Sequence, residues 1–111
     1  MGRLLDFKKN LKEKKISCLE WAQDQQTKVR AKNEKLNAFI EIYEDDFLSQ
    51  AKEVDAGKRS GELAGVSVGI KDIISIKNKE LNAASKILKS YRAPRSSTVV
   101  EKLEQQGAIF N

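Results

Sequence analysis

Apolar residues recur at helical spacing in the first third of the chain. Within residues 1–15 they alternate with lysines and predict a short helix with a narrow apolar stripe, formed by Leu4, Leu5, Phe7 and Leu11. Ser17 followed by Glu20 has the spacing of a capping box, in which each side chain satisfies a backbone N–H of the other residue. A second helix is therefore expected from Cys18 to about Asn33.

The pattern changes to period two between Leu36 and Tyr43, which predicts a strand. One face of that strand would carry Leu36, Ala38, Ile40 and Ile42, and the other Asn37, Phe39, Glu41 and Tyr43. Helical spacing returns around Phe47, after the acidic pair Asp45 and Asp46, which suits the positive end of a helix dipole. This helix is expected to end by Gly57.

A strand, a helix and a second strand are predicted in the last half of the chain. Residues 63–70 are almost wholly apolar or small, as expected of a strand buried on both faces. Thr98 and Glu101 repeat the capping-box spacing, and Gly107 stops that helix before a second strand begins at residues 108–110. This order is typical of an α/β fold with parallel strands.

We therefore predict an incomplete α/β domain, in which N-terminal helices precede the first strands and helix of a mixed sheet. Residues 1–34 form the helical lead-in, and residues 35–111 form the start of the α/β core. The last strand has barely begun at Asn111, although a buried parallel strand needs neighbours and full length. We expect uncovered apolar surface at residues 66–70 and 108–110.

Composition narrows the possible chemistry. Among 111 residues, 21 Lys+Arg exceed 16 Asp+Glu by a net charge of +5, but the lysines are scattered among acids and mark no nucleic-acid face. Histidine is absent and cysteine occurs once, so metal-free chemistry in a reducing compartment fits best. Cys18 is interpreted as a small buried hydrophobe. No run approaches the ~18 apolar residues of a membrane helix, and we expect a cytoplasmic protein, with a mitochondrial or plastid location as the alternative.

Lys71, at the carboxyl end of the predicted strand, is the candidate catalytic residue. Alternation places it on the same face as Ser67 and Gly69, whose small side chains leave room beside it. Active sites of open α/β sheets gather beyond the carboxyl ends of the strands, and a lysine in apolar surroundings there can serve as a base. The alternative interpretation is a solvated lysine that merely ends a strand.

The sequence around Lys71 resembles a known family. Residues 63–72, Leu-Ala-Gly-Val-Ser-Val-Gly-Ile-Lys-Asp, are similar to the Leu-x-Gly-Ile-Pro-Ile-x-Ile-Lys-Asp segment of amidase-signature enzymes, whose lysine belongs to a Ser-cisSer-Lys triad. Further segments resemble, in the same order, the glutamyl-tRNA amidotransferase A subunits of that family: residues 35–40, 84–88, 98–103 and 107–109. The resemblance extends from about Ile16 to the end of the chain.

The resemblance implies the N-terminal part of a glutamine-hydrolysing subunit that supplies ammonia for converting Glu-tRNA(Gln) to Gln-tRNA(Gln), with Lys71 as its proton acceptor. It implies glutamine as substrate, the amidotransferase B and C subunits as partners, and tRNA reached indirectly through the complex. No cofactor is expected in this chain, because ATP and Mg²⁺ are used by the B subunit.

Departures from the family pattern surround the expected site. Ser67 stands where proline is usual, Ile73 where asparagine is frequent, and residues 82–83 where a Thr-Thr-like pair is common. The Gly/Ser-rich segment that bears both triad serines has no counterpart in these residues, so the chain alone is predicted to be inactive. Asp72 is expected to hold nearby backbone or charge, and Ser85, like Ser67, is given a packing or turn role. Alternatives are a non-enzymatic remnant or interaction module, or one half of a split amidase.

Overall fold

The computed structural model describes residues 2–111, and the predicted helical position of Met1 lies outside them. The elements follow in the order α1 (Gly2–Lys12), α2 (Cys18–Leu36), α3 (Glu44–Asp55), β1 (Ser67–Val68), a short 3-10 helix (Lys86–Leu88), α4 (Thr98–Gln105) and β2 (Ile109–Phe110). Helices thus precede a parallel strand pair, which confirms the predicted α/β class. Within the described residues, no helix combines the length and the apolar character needed to cross a membrane.

The capping box that opens α2 is confirmed. The Glu20 backbone N–H donates to Ser17 Oγ at 3.1 Å, and the Ser17 backbone N–H donates to Glu20 Oε2 at 3.2 Å. Asp55, at the end of α3, adds a second cap, because its carboxylate accepts from the backbone N–H groups of Cys18 at 2.8 Å and Leu19 at 2.9 Å. The start of α2 is therefore fixed both locally and by the neighbouring helix.

The predicted strand between Leu36 and Tyr43 is wrong. Helix α2 continues to Leu36, and residues 37–43 form a loop without regular structure. The Asn33 side chain accepts from the Phe39 N–H at 2.8 Å and donates to the Phe39 carbonyl at 3.0 Å, so it occupies backbone groups that a sheet ladder would use. Ile40, predicted to lie on the apolar face of that strand, is 76% exposed.

The two strands pair in parallel, with Ser67 opposite Ile109 and Val68 opposite Phe110. The predicted first strand is in the right place but shorter than residues 63–70, because residues 62–65 form turns and Gly65 adopts a φ of +79°. β1 is half-buried rather than covered on both faces, since Ser67 and Val68 are both partly exposed.

The second strand is deeply buried, which corrects the expectation that residues 108–110 would be uncovered. Ile109 is fully buried and Phe110 is 2% exposed, because α3 packs against β2. The preceding helix is capped by Ser97 rather than Thr98, and the Ser97 hydroxyl accepts from the Val100 N–H at 3.4 Å. Gly107, with a φ of +85°, ends that helix region as predicted.

Helices α2 and α3 and strand β2 form the core. All three elements contribute fully buried side chains, namely Cys18 and Ala22 on α2, Phe47 and Ala51 on α3, and Ile109 on β2. The burial of Cys18 confirms its interpretation as a small hydrophobe. The Trp21 ring joins α1 to this core, with centroids 4.5 Å from Phe7 and 6.3 Å from Phe47. The carboxyl end of β2 is thereby held beneath two helices.

Candidate active site

A cavity of about 410 Å³ opens beyond the carboxyl ends of β1 and β2. Its walls come from the loop after α2, the residues that follow β1, the segment near residue 80, and the end of β2. These parts contribute Ala38, Phe39, Ile40, Glu41 and Tyr43, then Gly69, Ile70, Lys71 and Asp72, then Glu80 and Asn82, and finally Asn111. The cavity lies where ligands bind in open parallel sheets.

Lys71 lines this cavity, at the position predicted from the sequence. Its ammonium forms no ion pair with a carboxylate of residues 2–111. Gly69 faces the Phe39 ring, and a side chain at that position would first meet Phe39 at 3.5 Å. Lys71 itself is exposed, and it shares the cavity lining with the Phe39 ring.

Ser67 does not join Lys71 in the cavity, although strand alternation placed the two on one face. Ser67 lines a different depression, together with Phe7 and Trp21. The reason is that β1 ends at Val68, so period-two alternation does not extend to residue 71. Ser85 does not line the cavity either, although its backbone N–H donates at 2.7 Å to the carbonyl of Asn82, which does, in a turn before the 3-10 helix.

Asp72 holds the segment near residue 82, which forms part of the cavity lining. Its carboxylate accepts from the backbone N–H groups of Asn82 at 3.2 Å and Ala84 at 3.4 Å. Ala83 and Ala84 have φ angles of +46° and +57°, a left-handed conformation that is costly for residues other than glycine. The prediction that Asp72 holds nearby backbone is confirmed, and its role is to stabilise this unusual turn.

The carboxylates around the cavity affect the pKa of Tyr43. Burial, followed by the carboxylates of Glu41, Asp72 and Glu80, raises the pKa of the Tyr43 phenol. The phenol therefore stays protonated near neutral pH and can donate a hydrogen bond. The Lys79 ammonium lies over its ring, 4.5 Å from the centroid.

The balance of charge around the cavity disfavours an anion. Among the lining residues that the structure describes, Lys71 is the one cation, and three carboxylates accompany it. A polar neutral ligand, or one that carries an ammonium group, is more compatible with this lining. In residues 2–111 no group of three His, Cys, Asp or Glu side chains is arranged to hold a metal ion.

Several lining residues were missed by sequence reasoning. Phe39 and Tyr43 were assigned to one face of a strand that does not form, and no sequence motif included Glu80. Asn111 had one available signal, because residues that follow neighbouring parallel strands meet at the same sheet edge. Its backbone N–H donates to the Val68 carbonyl at 3.4 Å, which places it level with the end of β1.

The fold and the cavity define a class of protein, namely an α/β protein with a polar, lysine-bearing cavity at the ends of parallel strands. Residues 20–111 match the Amidase family. The chain belongs to this family, and the match includes every residue that lines the cavity.

Individual curated relatives show which members of this family the chain resembles. The chain is 37% identical over 109 residues to the A subunit of glutamyl-tRNA(Gln) amidotransferase from Chlorobium phaeobacteroides, covering 95% of this chain and 23% of that protein. It is 38% identical over 110 residues to the corresponding protein of Coxiella burnetii, covering 96% and 23%. The corresponding protein of Archaeoglobus fulgidus is 44% identical over 81 residues, covering 73% and 18%. The chain thus spans about a quarter of the length of these relatives or less.

A solved structure supports the fold independently. A chain from a vestigial protein complex, described as revealing the evolutionary origins of an s-triazine catabolic enzyme, superposes with a TM-score of 0.88 at 20% identity. The match covers 96% of this chain and 24% of that one. Our chain therefore has the fold of one portion of a larger protein.

Proposed function

We propose that this chain is the amino-terminal portion of the glutamine-hydrolysing amidase subunit that supplies ammonia for converting Glu-tRNA(Gln) to Gln-tRNA(Gln). The observation that supports it most directly is the position of Lys71 in a cavity at the strand ends, within the segment that matches the Amidase family. The names of relatives that are 37% and 38% identical support amide transfer to glutamyl-tRNA(Gln) as the reaction of the whole enzyme.

In this proposal Lys71 acts as the proton acceptor. Its neutral amine takes a proton through a bridging serine, while a second serine forms a bond from Oγ to the amide carbon of glutamine. The protonated lysine then returns this proton through the bridging serine to the amide nitrogen, the carbon–nitrogen bond breaks, ammonia leaves, and water hydrolyses the acyl-enzyme. Both serines belong to parts of the enzyme outside these residues, so Lys71 is the catalytic residue that this chain contributes.

The same proposal specifies the partners. Ammonia passes to an amidotransferase B subunit, which uses ATP and Mg²⁺ to activate Glu-tRNA(Gln), and a C subunit completes the complex. This chain contacts tRNA through the complex rather than by a basic face of its own, and it binds no cofactor itself. The proposed location is the cytoplasm.

A chimera tests this function. These 111 residues replace the equivalent segment of the Chlorobium phaeobacteroides relative, which they match at 37% identity, and the resulting Chlorobium chimera is combined with the B and C subunits of that organism. We expect glutamine-dependent ammonia release and formation of Gln-tRNA(Gln), whereas the 111-residue chain alone should release none. A folded chimera without glutaminase activity, beside an active parent, would disprove the proposal.

A further inference from the structure

A buried pair of amide side chains lies at the edge of the Lys71 cavity. Gln26, on α2, is 2% exposed, and Asn111, which lines the cavity after β2, is 8% exposed. Gln26 Nε2 donates to Asn111 Oδ1 at 2.7 Å, a bond that spans 85 positions in the sequence. Buried polar side chains are costly unless they are hydrogen-bonded, so this contact between a core helix and the cavity requires an explanation.

The hydrogen bond determines which atoms Asn111 presents. Because Oδ1 is engaged by Gln26, the remaining polar group of the Asn111 side chain is its Nδ2 amino group, which carries two N–H donors. Within residues 2–111 the Asn111 side chain makes one hydrogen bond, through Oδ1, and Nδ2 is not among the fully buried atoms that lack a partner, so it remains accessible to a ligand.

The opposite orientation of the two amides is less favourable. Exchanging oxygen and nitrogen in both side chains would bury the Gln26 amino group without a partner. In the orientation observed, the unpartnered atom is instead the acceptor Gln26 Oε1. Orphaned buried N–H groups are rarer in proteins than under-satisfied carbonyl oxygens, so the orientation with Asn111 Nδ2 towards the cavity is preferred.

We propose that Asn111 is a substrate-recognition residue of this cavity, whose Nδ2 donates a hydrogen bond to the carbonyl oxygen of a carboxamide, and that Gln26 is the residue that positions it. A neutral carbonyl fits better than a carboxylate, because three carboxylates and one ammonium line the cavity. The choice of glutamine as the carboxamide rests on the proposed function, whereas the donor assignment rests on the geometry.

Binding of L-glutamine and L-glutamate to the ¹⁵N-labelled 111-residue chain tests this assignment by NMR. The two ligands differ at one position, where a carboxamide replaces a carboxylate. We expect the side-chain Nδ2 resonances of Asn111 to shift saturably with glutamine, and glutamate to bind at least about tenfold more weakly. Glutamine binding that leaves the Asn111 resonances unmoved, or no saturable binding of glutamine, would overturn the proposal.

Two variants and a control sharpen the test. Asn111→Asp keeps an acceptor for Gln26 Nε2, replaces the Nδ2 donor by a carboxylate oxygen and adds a negative charge, so glutamine should bind about tenfold more weakly. Gln26→Met should lower the ratio of the affinity for glutamine to the affinity for glutamate, because the Asn111 side chain is then free to turn. If Gln26 had a purely structural role, the substitution would weaken the binding of both ligands equally. Gln23→Met, at an exposed position of the same helix, should change neither value. Glutamine affinity within twofold of the unsubstituted chain in Asn111→Asp would refute the donor role.

The two proposals fail separately. If glutamine binds at Asn111 but the Chlorobium chimera releases no ammonia, the proposed function is wrong and the recognition role of Asn111 stands. If the chimera releases ammonia with an unchanged KM for glutamine after Asn111→Asp, the recognition role is wrong and the proposed function stands.

Discussion

Asp72 and Asn82 are joined by a hydrogen bond in which the Asn82 backbone N–H donates to Asp72 Oδ1 at 3.2 Å. Asp72 directly follows Lys71, so the residue next to the candidate base holds a second segment that lines the cavity. The bond connects two segments that line the same space, and it depends on a carboxylate that follows the end of a strand.

Replacing Asp72 by alanine should loosen this second segment. The substitution leaves the backbone N–H groups of Asn82 and Ala84 without their acceptor, and should cost about 1–2 kcal/mol in the free energy of unfolding. Urea denaturation measures the cost, and amide hydrogen exchange at the two residues should accelerate. The matched control is Asp24→Ala, which removes an exposed ion pair with Lys28 and should cost at most about 0.5 kcal/mol. Equal effects of the two substitutions would contradict the account.

Substituting alanine for Gly57 and for Gly107 separates the effect of close packing from the effect of backbone conformation. Both have positive φ, +75° and +85°, but a Cβ on Gly107 would lie 2.9 Å from the Ala64 Cα and the Ser60 carbonyl oxygen. A Cβ on Gly57 meets nothing within 4 Å. We expect Gly57→Ala to cost about 1 kcal/mol and Gly107→Ala about 3 kcal/mol or more. Thermal or urea unfolding provides the comparison, and similar costs would show that the turn at Gly107 is less tightly packed than described.

Cys18 predicts a pH dependence of stability at high pH. Burial, and secondarily the Asp55 carboxylate, raises the pKa of its thiol from 9.0 to about 12. The folded state therefore retains a proton that the unfolded state releases above about pH 9, so this contribution to stability is complete below pH 9 and is lost as the pH rises towards 12.

The Cys18→Ala variant isolates that contribution. Lysines and tyrosines also titrate in this range, so the informative quantity is the difference between the slopes of unfolding free energy against pH for the two proteins. We expect the variant to lose less stability between pH 9 and pH 11. Identical slopes would show that the thiol is not buried in solution.

Sequence patterns correctly predicted the features that depend on residues close together in the chain. The capping box of Ser17 and Glu20 involves neighbouring residues, and the position of Lys71 follows from an apolar run that ends abruptly. The prediction of a strand over residues 36–43 was wrong because alternation is a property of the sequence, whereas a strand also requires a neighbouring strand to pair with. Asn33 supplies the hydrogen bonds that such a partner would have made to Phe39.

The walls of the cavity could not be read from the sequence, because they depend on contacts between distant positions. Tyr43 and Glu80 meet only after the loop that follows α2 has folded over the strand ends. The bond from Gln26 to Asn111 likewise depends on how α2 lies over β2, which no local pattern encodes. Sequence reasoning therefore found the lysine and missed most of its surroundings.

The central claim is that Lys71 is the proton acceptor of an amidase, and the Lys71→Arg substitution in the Chlorobium chimera tests it most directly. Arginine keeps the positive charge but cannot become a neutral base, so glutamine-dependent ammonia release should fall by at least about a thousandfold while the melting temperature is unchanged. Lys71→Ala should lose activity to the same extent. Ammonia release within tenfold of the unsubstituted chimera in the Lys71→Arg protein would contradict the account.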